Sequence, residues 1–151
     1  MKKKCKCDYC GASPEKIKAL ESQEDKWLKT DGFYIHLVID ADPANAHTHG
    51  LVENFNHLDI QIAYPLPAKL MMILMHTIVD KIKAGDKIKD GDLLDYVLDN
   101  YNVKAIQMTE MGRPVMRILL PDVTGKFPDE EECDPKYKIQ MKSEDLTCLK
   151  N

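Results

Sequence analysis

Hydrophobic residues recur at helical spacing in the first part of the chain, and this pattern predicts an amphipathic helix. Ser13 and Pro14 mark its start, because a serine side chain caps the first amide groups and proline suits the first helical position. Leu20 and Trp27 lie on one stripe of the helix, while most of the other positions are polar. Gly32 is placed to end the helix.

Two segments with strand character follow, and then a second helical pattern. Residues 33–39 carry apolar and aromatic side chains on both faces, which predicts a strand buried on both sides. Residues 58–64 alternate, so we expect their apolar positions to face the core and their polar positions to face away from it. Residues 68–84 keep an apolar stripe as far as Gly85 and predict a helix. The intervening residues 40–56 are expected to form a long loop.

The second half of the chain predicts a short helix and a hairpin. Asp92 is placed to cap a helix over residues 93–100. Residues 103–110 and 114–120 have the character of strands, joined by a turn that contains Gly112. Because strands come in pairs rather than alternating with helices, the order predicts an α+β fold. We expect a mostly antiparallel sheet of four or more strands, with helices packed on one face.

Length and composition limit the class of protein. A chain of 151 residues, 44% apolar and 30% charged, is typical of one globular domain. We assign residues 13–151 to that domain, after a Cys/Lys-rich segment at residues 1–12. A net charge of −4 argues against a nucleic-acid partner. No apolar run reaches the roughly 18 residues of a membrane span, and no signal peptide is recognisable, so we expect a cytoplasmic protein without a membrane partner.

Three cysteines near the N-terminus form the first candidate site. Cys7 and Cys10 are separated by two residues, a spacing that lets both thiolates bind one tetrahedral zinc ion, and Cys5 offers a third ligand. A fourth ligand would have to fold back from elsewhere, for example from Cys133 or Cys148. The alternative to a structural zinc site is a set of exposed thiols, since an odd number of cysteines in a reducing compartment does not predict a disulfide framework.

Three histidines and a carboxylate form the second candidate site. His47 and His49 lie on the same side of an extended chain, as the first ligands of many catalytic metal sites do, and His57 and Asp59 could complete the set around zinc. In that case a metal-bound water would support hydrolysis. Without metal, His57 and Asp59 could serve as a general acid and base. The alternative is that these histidines hydrogen-bond to the backbone or face water.

Two segments together resemble a known family. A Thr-x-Gly-Leu turn at residues 48–51 is followed by His57, Asp59 and an apolar strand, and a Pro-Asp-x-x-Gly-Lys-Phe-Pro segment occupies residues 121–128. Both are similar to motifs of the mainly bacterial family called domain of unknown function 4262. The resemblance covers about residues 27–140, which is most of the chain.

This resemblance implies a small α+β domain, and it implies no particular activity. His57 and Asp59 correspond to a histidine and an acid of the family pattern. His47 and His49, in contrast, stand where the family more often carries an aromatic and an aliphatic residue.

We expect a cleft where the loop at residues 40–56 meets the turn-rich segment near residues 121–128. The residues expected to line this cleft are Thr48, Gly50, His57, Asp59 and Asp122. Two functions fit the sequence. One is a binding or interaction domain for a small molecule or a protein, with a structural zinc site at its N-terminus. The other is a small hydrolase that uses the predicted histidines and Asp59, with or without a metal ion.

Overall fold

A computed structural model of the chain describes residues 3–4, 9, 11–143 and 146–147. In chain order its elements are β1 (Lys3–Lys4), α1 (Pro14–Asp31), β2 (Tyr34–Val38), β3 (Asn45–His49), α2 (Leu51–Phe55), β4 (Ile60–Ile62), α3 (Ala68–Lys83), β5 (Leu93–Leu98), β6 (Tyr101–Glu110), β7 (Arg113–Leu119), a 3-10 helix (Pro135–Met141) and β8 (Leu146–Thr147). The two shortest strands, β1 and β8, pair with each other in parallel.

The other six strands form one sheet in the spatial order β2-β3-β4-β7-β6-β5. Neighbouring strands are antiparallel except for β4 and β7, which are parallel. The predicted α+β class with a mostly antiparallel sheet of at least four strands is therefore confirmed. β2 and β5 are the two edge strands of this sheet.

Helix α3 packs against one face of the sheet and forms the main hydrophobic core with it. Its apolar stripe, which repeats with the helical period, is buried. The stripe contacts apolar side chains from the central strands, among them Ala46, Ile60, Ile62, Val103 and Ile118. The predicted extent of this helix is confirmed to within one residue.

Helix α1 packs beside the edge strand β2. Ser13 caps its first turn by accepting a hydrogen bond from the Lys16 amide, and Gly32 ends it in a left-handed conformation, as predicted. The rings of Trp27 and Tyr34 lie 6.3 Å apart between the helix and the strand. Among the described residues, no helix has both the length and the apolar character needed to cross a bilayer.

The expectation of an unstructured loop over residues 40–56 is wrong. Residues 45–49 form strand β3, which pairs with β2 on one side and β4 on the other, and Leu51–Phe55 forms the short helix α2. The sequence of β3, Asn-Ala-His-Thr-His, lacks the apolar content that marks most buried strands. These residues form a strand because they pair with β2 on one side and with β4 on the other, which is an effect of the tertiary fold.

The predicted helix at residues 93–100 is also wrong, because these residues form strand β5 and the turn after it. Leu94 and Val97 are buried, and β5 pairs with β6 through a tight turn at Asp99 and Asn100. Asn100 adopts a left-handed conformation with φ of 67°, which asparagine tolerates better than most residues. The carboxylate of Asp92 accepts a hydrogen bond from the Lys89 amide and so stabilises a turn rather than a helix.

The hairpin of β6 and β7 is confirmed, with its turn at Met111 and Gly112. Strand β4 differs from the expectation in one respect, because both of its faces are buried. Gln61, predicted to face away from the core, is only 3% exposed and accepts two hydrogen bonds from the guanidinium of Arg117. A buried polar layer therefore covers the side of the sheet that the sequence assigned to solvent.

Candidate metal centre

Three histidines come together on the face of β2 and β3 that lies away from α3. His47 and His49 are two residues apart on β3, so their side chains project to the same face. In the antiparallel register His36 of β2 is directly opposite His47. Opposite residues of an antiparallel pair project to one side of the sheet, and the register therefore places all three imidazoles together.

The three rings are close enough to serve as ligands of one metal ion. Each offers a nitrogen, and these nitrogens all lie within 4.8 Å of one another. The ring centroids are separated by 4.9 Å between His36 and His47 and by 5.0 Å between His47 and His49. Zinc binds histidine nitrogens at about 2.0–2.1 Å, so two nitrogens on a tetrahedral ion lie roughly 3.4 Å apart. The rings therefore have to move closer together to hold one ion.

A side-chain hydrogen bond orients His47. Its Nδ1 lies 3.1 Å from the side-chain oxygen of Asn45 and donates a hydrogen bond to it, which leaves Nε2 with a lone pair. That Nε2 is buried and has no hydrogen-bond partner in the described part of the chain. Histidines that bind metals in proteins are oriented in this way, with one ring nitrogen donating to an acceptor and the other free for the ion.

The protonation state of His47 also suits a ligand. Burial holds the pKa of His47 well below its usual range, and the neighbouring His49, His36 and Arg113 lower it further. The imidazole is therefore neutral at physiological pH, and the neutral form is the one that binds metal ions.

Two tyrosine rings enclose the histidine cluster. Tyr34 stacks on His49 with a centroid distance of 4.9 Å, and Tyr9 meets His36 edge-on at 6.3 Å. The hydroxyl groups of both tyrosines donate hydrogen bonds to the buried carboxylate of Glu24 on α1. Burial, together with the charge of Glu24, raises the pKa of Tyr34 far above its usual value, so this hydroxyl keeps its proton and remains a donor.

His57, predicted to be catalytic, is bound on both sides by backbone groups. Its Nδ1 donates to the Leu58 carbonyl at 2.7 Å, and its Nε2 accepts from the Ile88 amide at 3.1 Å. The residue is 6% exposed. These contacts connect the end of α2 to the segment before β5, which is a structural use of the ring, and a catalytic role for His57 stays a prediction.

Asp59, predicted to be the partner of His57, belongs to a separate network. Its carboxylate accepts hydrogen bonds from the Thr48 hydroxyl at 2.8 Å and the Leu51 amide at 3.2 Å, and it forms an ion pair with Arg113 at 3.1 Å. Burial raises the pKa of Asp59, whereas the Thr48 hydrogen bond and the Arg113 charge act in the opposite direction. The network fixes β3 and the start of α2 to β7.

The remaining residues of the predicted cleft are divided between two places. Thr48 and Gly50 lie beside the Asp59 network, at the end of β3. The carboxylate of Asp122, in contrast, accepts hydrogen bonds from Thr124 and Lys126 in its own turn and from the Asp134 amide before the 3-10 helix. These hydrogen bonds hold the pKa of Asp122 well below its usual range. Asp122 thus stabilises the C-terminal turn, and a common cleft stays a prediction.

The predicted cysteine site lies outside the described residues, since Cys5, Cys7 and Cys10 all fall there. Zinc binding by these thiolates therefore stays a prediction. Tyr9, which lies between two of these cysteines in the sequence, is described, and it packs with Val38 beside the histidine cluster.

Sequence reasoning found two of the three clustered histidines and missed His36. The sequence pattern offered His57, and not His36, as the third ligand. The signal that could have identified His36 is the register of a hairpin formed by residues 34–38 and 45–49, with Asp40, Asp42 and Pro43 as turn residues. The polar sequence of β3 does not predict a strand, and without that strand the alignment of His36 with His47 cannot be inferred.

We expect His57→Ala to lower the free energy of unfolding by about 2–4 kcal/mol, because two buried backbone groups lose their partner and a cavity forms. Urea unfolding measures this change. His76 is exposed on α3, and His76→Ala should alter the free energy of unfolding by less than about 0.5 kcal/mol. If His57→Ala were as stable as the wild type, the structural interpretation of this ring would be wrong.

The fold and the cluster together define the class as a small α+β domain with three histidines gathered on one sheet face. Comparison with protein families gives a match over residues 28–134 to the family described as "Domain of unknown function (DUF4262)". The match covers more than half of the 151 residues, and the chain belongs to this family. The resemblance noted in the sequence is thereby confirmed. No curated protein and no solved structure matches the chain.

Proposed function

We propose that the protein is a zinc-binding domain that holds the ion through His36, His47 and His49. Two observations support this: the buried Nε2 of His47 has no hydrogen-bond partner among the described residues, and one ring nitrogen from each of the three histidines lies within 4.8 Å of the other two. Leaving a buried polar atom without a partner is costly. A bound ion would remove that cost and use the lone pair that Asn45 orients.

The donor set favours a transition metal, and the number of ligands favours zinc within that group. Three neutral imidazoles suit zinc, copper and nickel better than calcium or magnesium, which take oxygen ligands. Three protein ligands with a fourth position left open are the arrangement of many zinc sites that bind water or a small molecule. This donor set also favours a second candidate, a metal-dependent hydrolase, because an open position could hold the attacking water.

Zinc titration of protein purified without an affinity tag or added metal tests the site. We expect one zinc ion per wild-type chain, and a loss of at least about 100-fold in affinity for His47→Ala, since one of three ligands is removed. At a free zinc concentration of 100 times Kd, binding should stabilise the wild type by about 2.7 kcal/mol. For a domain of this size that corresponds to a rise in Tm of roughly 5–10 °C.

Two control variants identify the ligands. His76→Ala removes an exposed histidine outside the cluster and should bind zinc like the wild type. The double variant Cys7→Ser with Cys10→Ser removes the thiolates of the predicted N-terminal site and should also retain the ion. Zinc that survives His47→Ala but is lost from the cysteine variant would place the metal at the N-terminus and refute the histidine site.

A further inference from the structure

We propose that a groove beside strand β2, between α1 and α3, binds a small aliphatic diamine, with one ammonium group at each end of the groove. This inference goes beyond the zinc site and does not depend on it, because the diamine needs no metal ion.

Two adjoining cavities form this groove. Their volumes are about 180 Å³ and about 250 Å³. They share part of their lining, namely Trp27 of α1, Tyr34 and Ile35 next to each other on β2, and Met72 of α3. One ligand can therefore extend from one cavity into the other. Each cavity is smaller than the roughly 300 Å³ of most ligand pockets, which favours a narrow chain over a bulky ring system.

Helix α1 supplies a carboxylate to each end of the groove. Glu24 lines the smaller cavity and Asp31 lines the larger one, while Trp27 between them lines both. These positions are three and four residues apart, so they lie on one face of the helix. At 1.5 Å per residue, Glu24 and Asp31 are separated by roughly 10 Å along the helix axis. The groove is thus acidic at both ends.

The charges along the groove favour a cation. Among the described residues that line the two cavities there is no lysine or arginine. Glu24 accepts hydrogen bonds from the hydroxyls of Tyr9 and Tyr34. A carboxylate has about four lone-pair positions, so these two donors do not fill it, and an ammonium group is a suitable further donor.

The middle of the groove suits the alkyl chain of such a ligand. Ile35 and Met72 offer apolar side chains, and Trp27, which is 42% exposed, offers an indole face that attracts a nearby ammonium. The ammonium of Lys83 already lies 5.6 Å from the centre of the Phe33 ring in the larger cavity. We therefore expect the ammonium of the ligand to lie at the carboxylate of that cavity and not at Phe33.

Titration calorimetry at pH 8 with a metal chelator present tests this proposal, because ordinary histidines are then neutral and no metal ion is left to bind the amine. The probes share an eight-carbon chain. We expect diaminooctane, with an amine at each end, to bind at least about fivefold more tightly than octylamine, since its second ammonium adds a charge-assisted hydrogen bond. Octanol and octanoate, which lack both ammonium groups, should bind at least about 20-fold more weakly than the diamine.

Three variants locate the binding. Asp31→Asn should lower the affinity for diaminooctane at least about threefold and leave the affinity for octanol unchanged. Asp25→Asn is the matched control, because it removes the same charge from an exposed position of α1 that lines neither cavity, and it should bind the diamine like the wild type. Trp27→Ala should lower the affinity at least about fivefold.

Three outcomes would overturn the proposal. If octanol or octanoate bound as tightly as diaminooctane, the carboxylates would contribute nothing. Equal losses of affinity in Asp31→Asn and Asp25→Asn would show an effect of net charge and not of the groove. The third outcome is the lack of saturable diamine binding by the wild type at millimolar concentration. Zinc titration is a separate measurement, so either proposal can fail while the other stands.

Discussion

Arg117→Ala is expected to lower the free energy of unfolding by about 3–5 kcal/mol, because it leaves a buried carboxylate without its ion-pair partner. Arg117 is 1% exposed and forms a salt bridge with Glu110, whose side chain is 8% exposed. The same guanidinium donates to Gln61 and to the carbonyl of Gln140. Urea unfolding of the variant measures the loss, which amounts to a large share of the stability of an ordinary domain.

A double variant separates the unpaired charge from the loss of packing. Replacing a buried ion pair by apolar residues of similar size is often close to neutral. We therefore expect Arg117→Met combined with Glu110→Leu to recover more than half of the stability that Arg117→Met alone loses. If the double variant were less stable than the single one, Glu110 would stabilise the fold even without Arg117, and the buried charge of Glu110 would not be the cause of the loss.

The elements that the sequence predicts well are those stabilised by local interactions. Helix α1 has a serine cap and a glycine stop, and α3 has a regular apolar stripe. The turn at Met111 and Gly112 joins two strands that are adjacent in the chain. Each of these signals is contained within a few neighbouring residues, so no knowledge of the tertiary fold is needed to interpret it.

The elements that the sequence misses depend on partners distant in the chain. Strand β3 is polar at four of its five positions, and it becomes a strand because β2 and β4 pair with it on either side. The burial of Arg117 likewise depends on Gln61, which is 56 residues away. Periodicity assigns such polar positions to solvent, and only the folded arrangement shows that they have partners.

The candidate site illustrates the same limit. The His-x-His pair is visible in the sequence, and the prediction of a metal ligand set began from it. The third member, His36, is brought to the pair by the strand register. Asn45, which orients His47, is likewise a partner that only the structure identifies. Spacing within one segment therefore predicts two of the three histidines, and strand pairing between segments adds the third.

Gly50→Ala is expected to lower the free energy of unfolding by about 3 kcal/mol and to weaken zinc binding at least tenfold. Gly50 has φ of +106°, a conformation that costs a residue with a side chain about 1–2 kcal/mol. A Cβ atom there would also lie 2.6 Å from the carbonyl oxygen of Gly32 and 2.7 Å from a methyl carbon of Leu28. Because the carbonyl belongs to the end of α1, the backbone has to shift, and His49 directly precedes Gly50.

Gly85→Ala is the matched control for this prediction. Gly85 has nearly the same φ, +108°, but a Cβ atom there would meet nothing within 4 Å. The control should therefore lose only the conformational cost of about 1–2 kcal/mol, with zinc binding unchanged. Chemical unfolding and zinc titration of both variants distinguish the two effects. If the variants were equally stable and bound zinc equally well, close packing of β3 against the end of α1 would not be what positions His49.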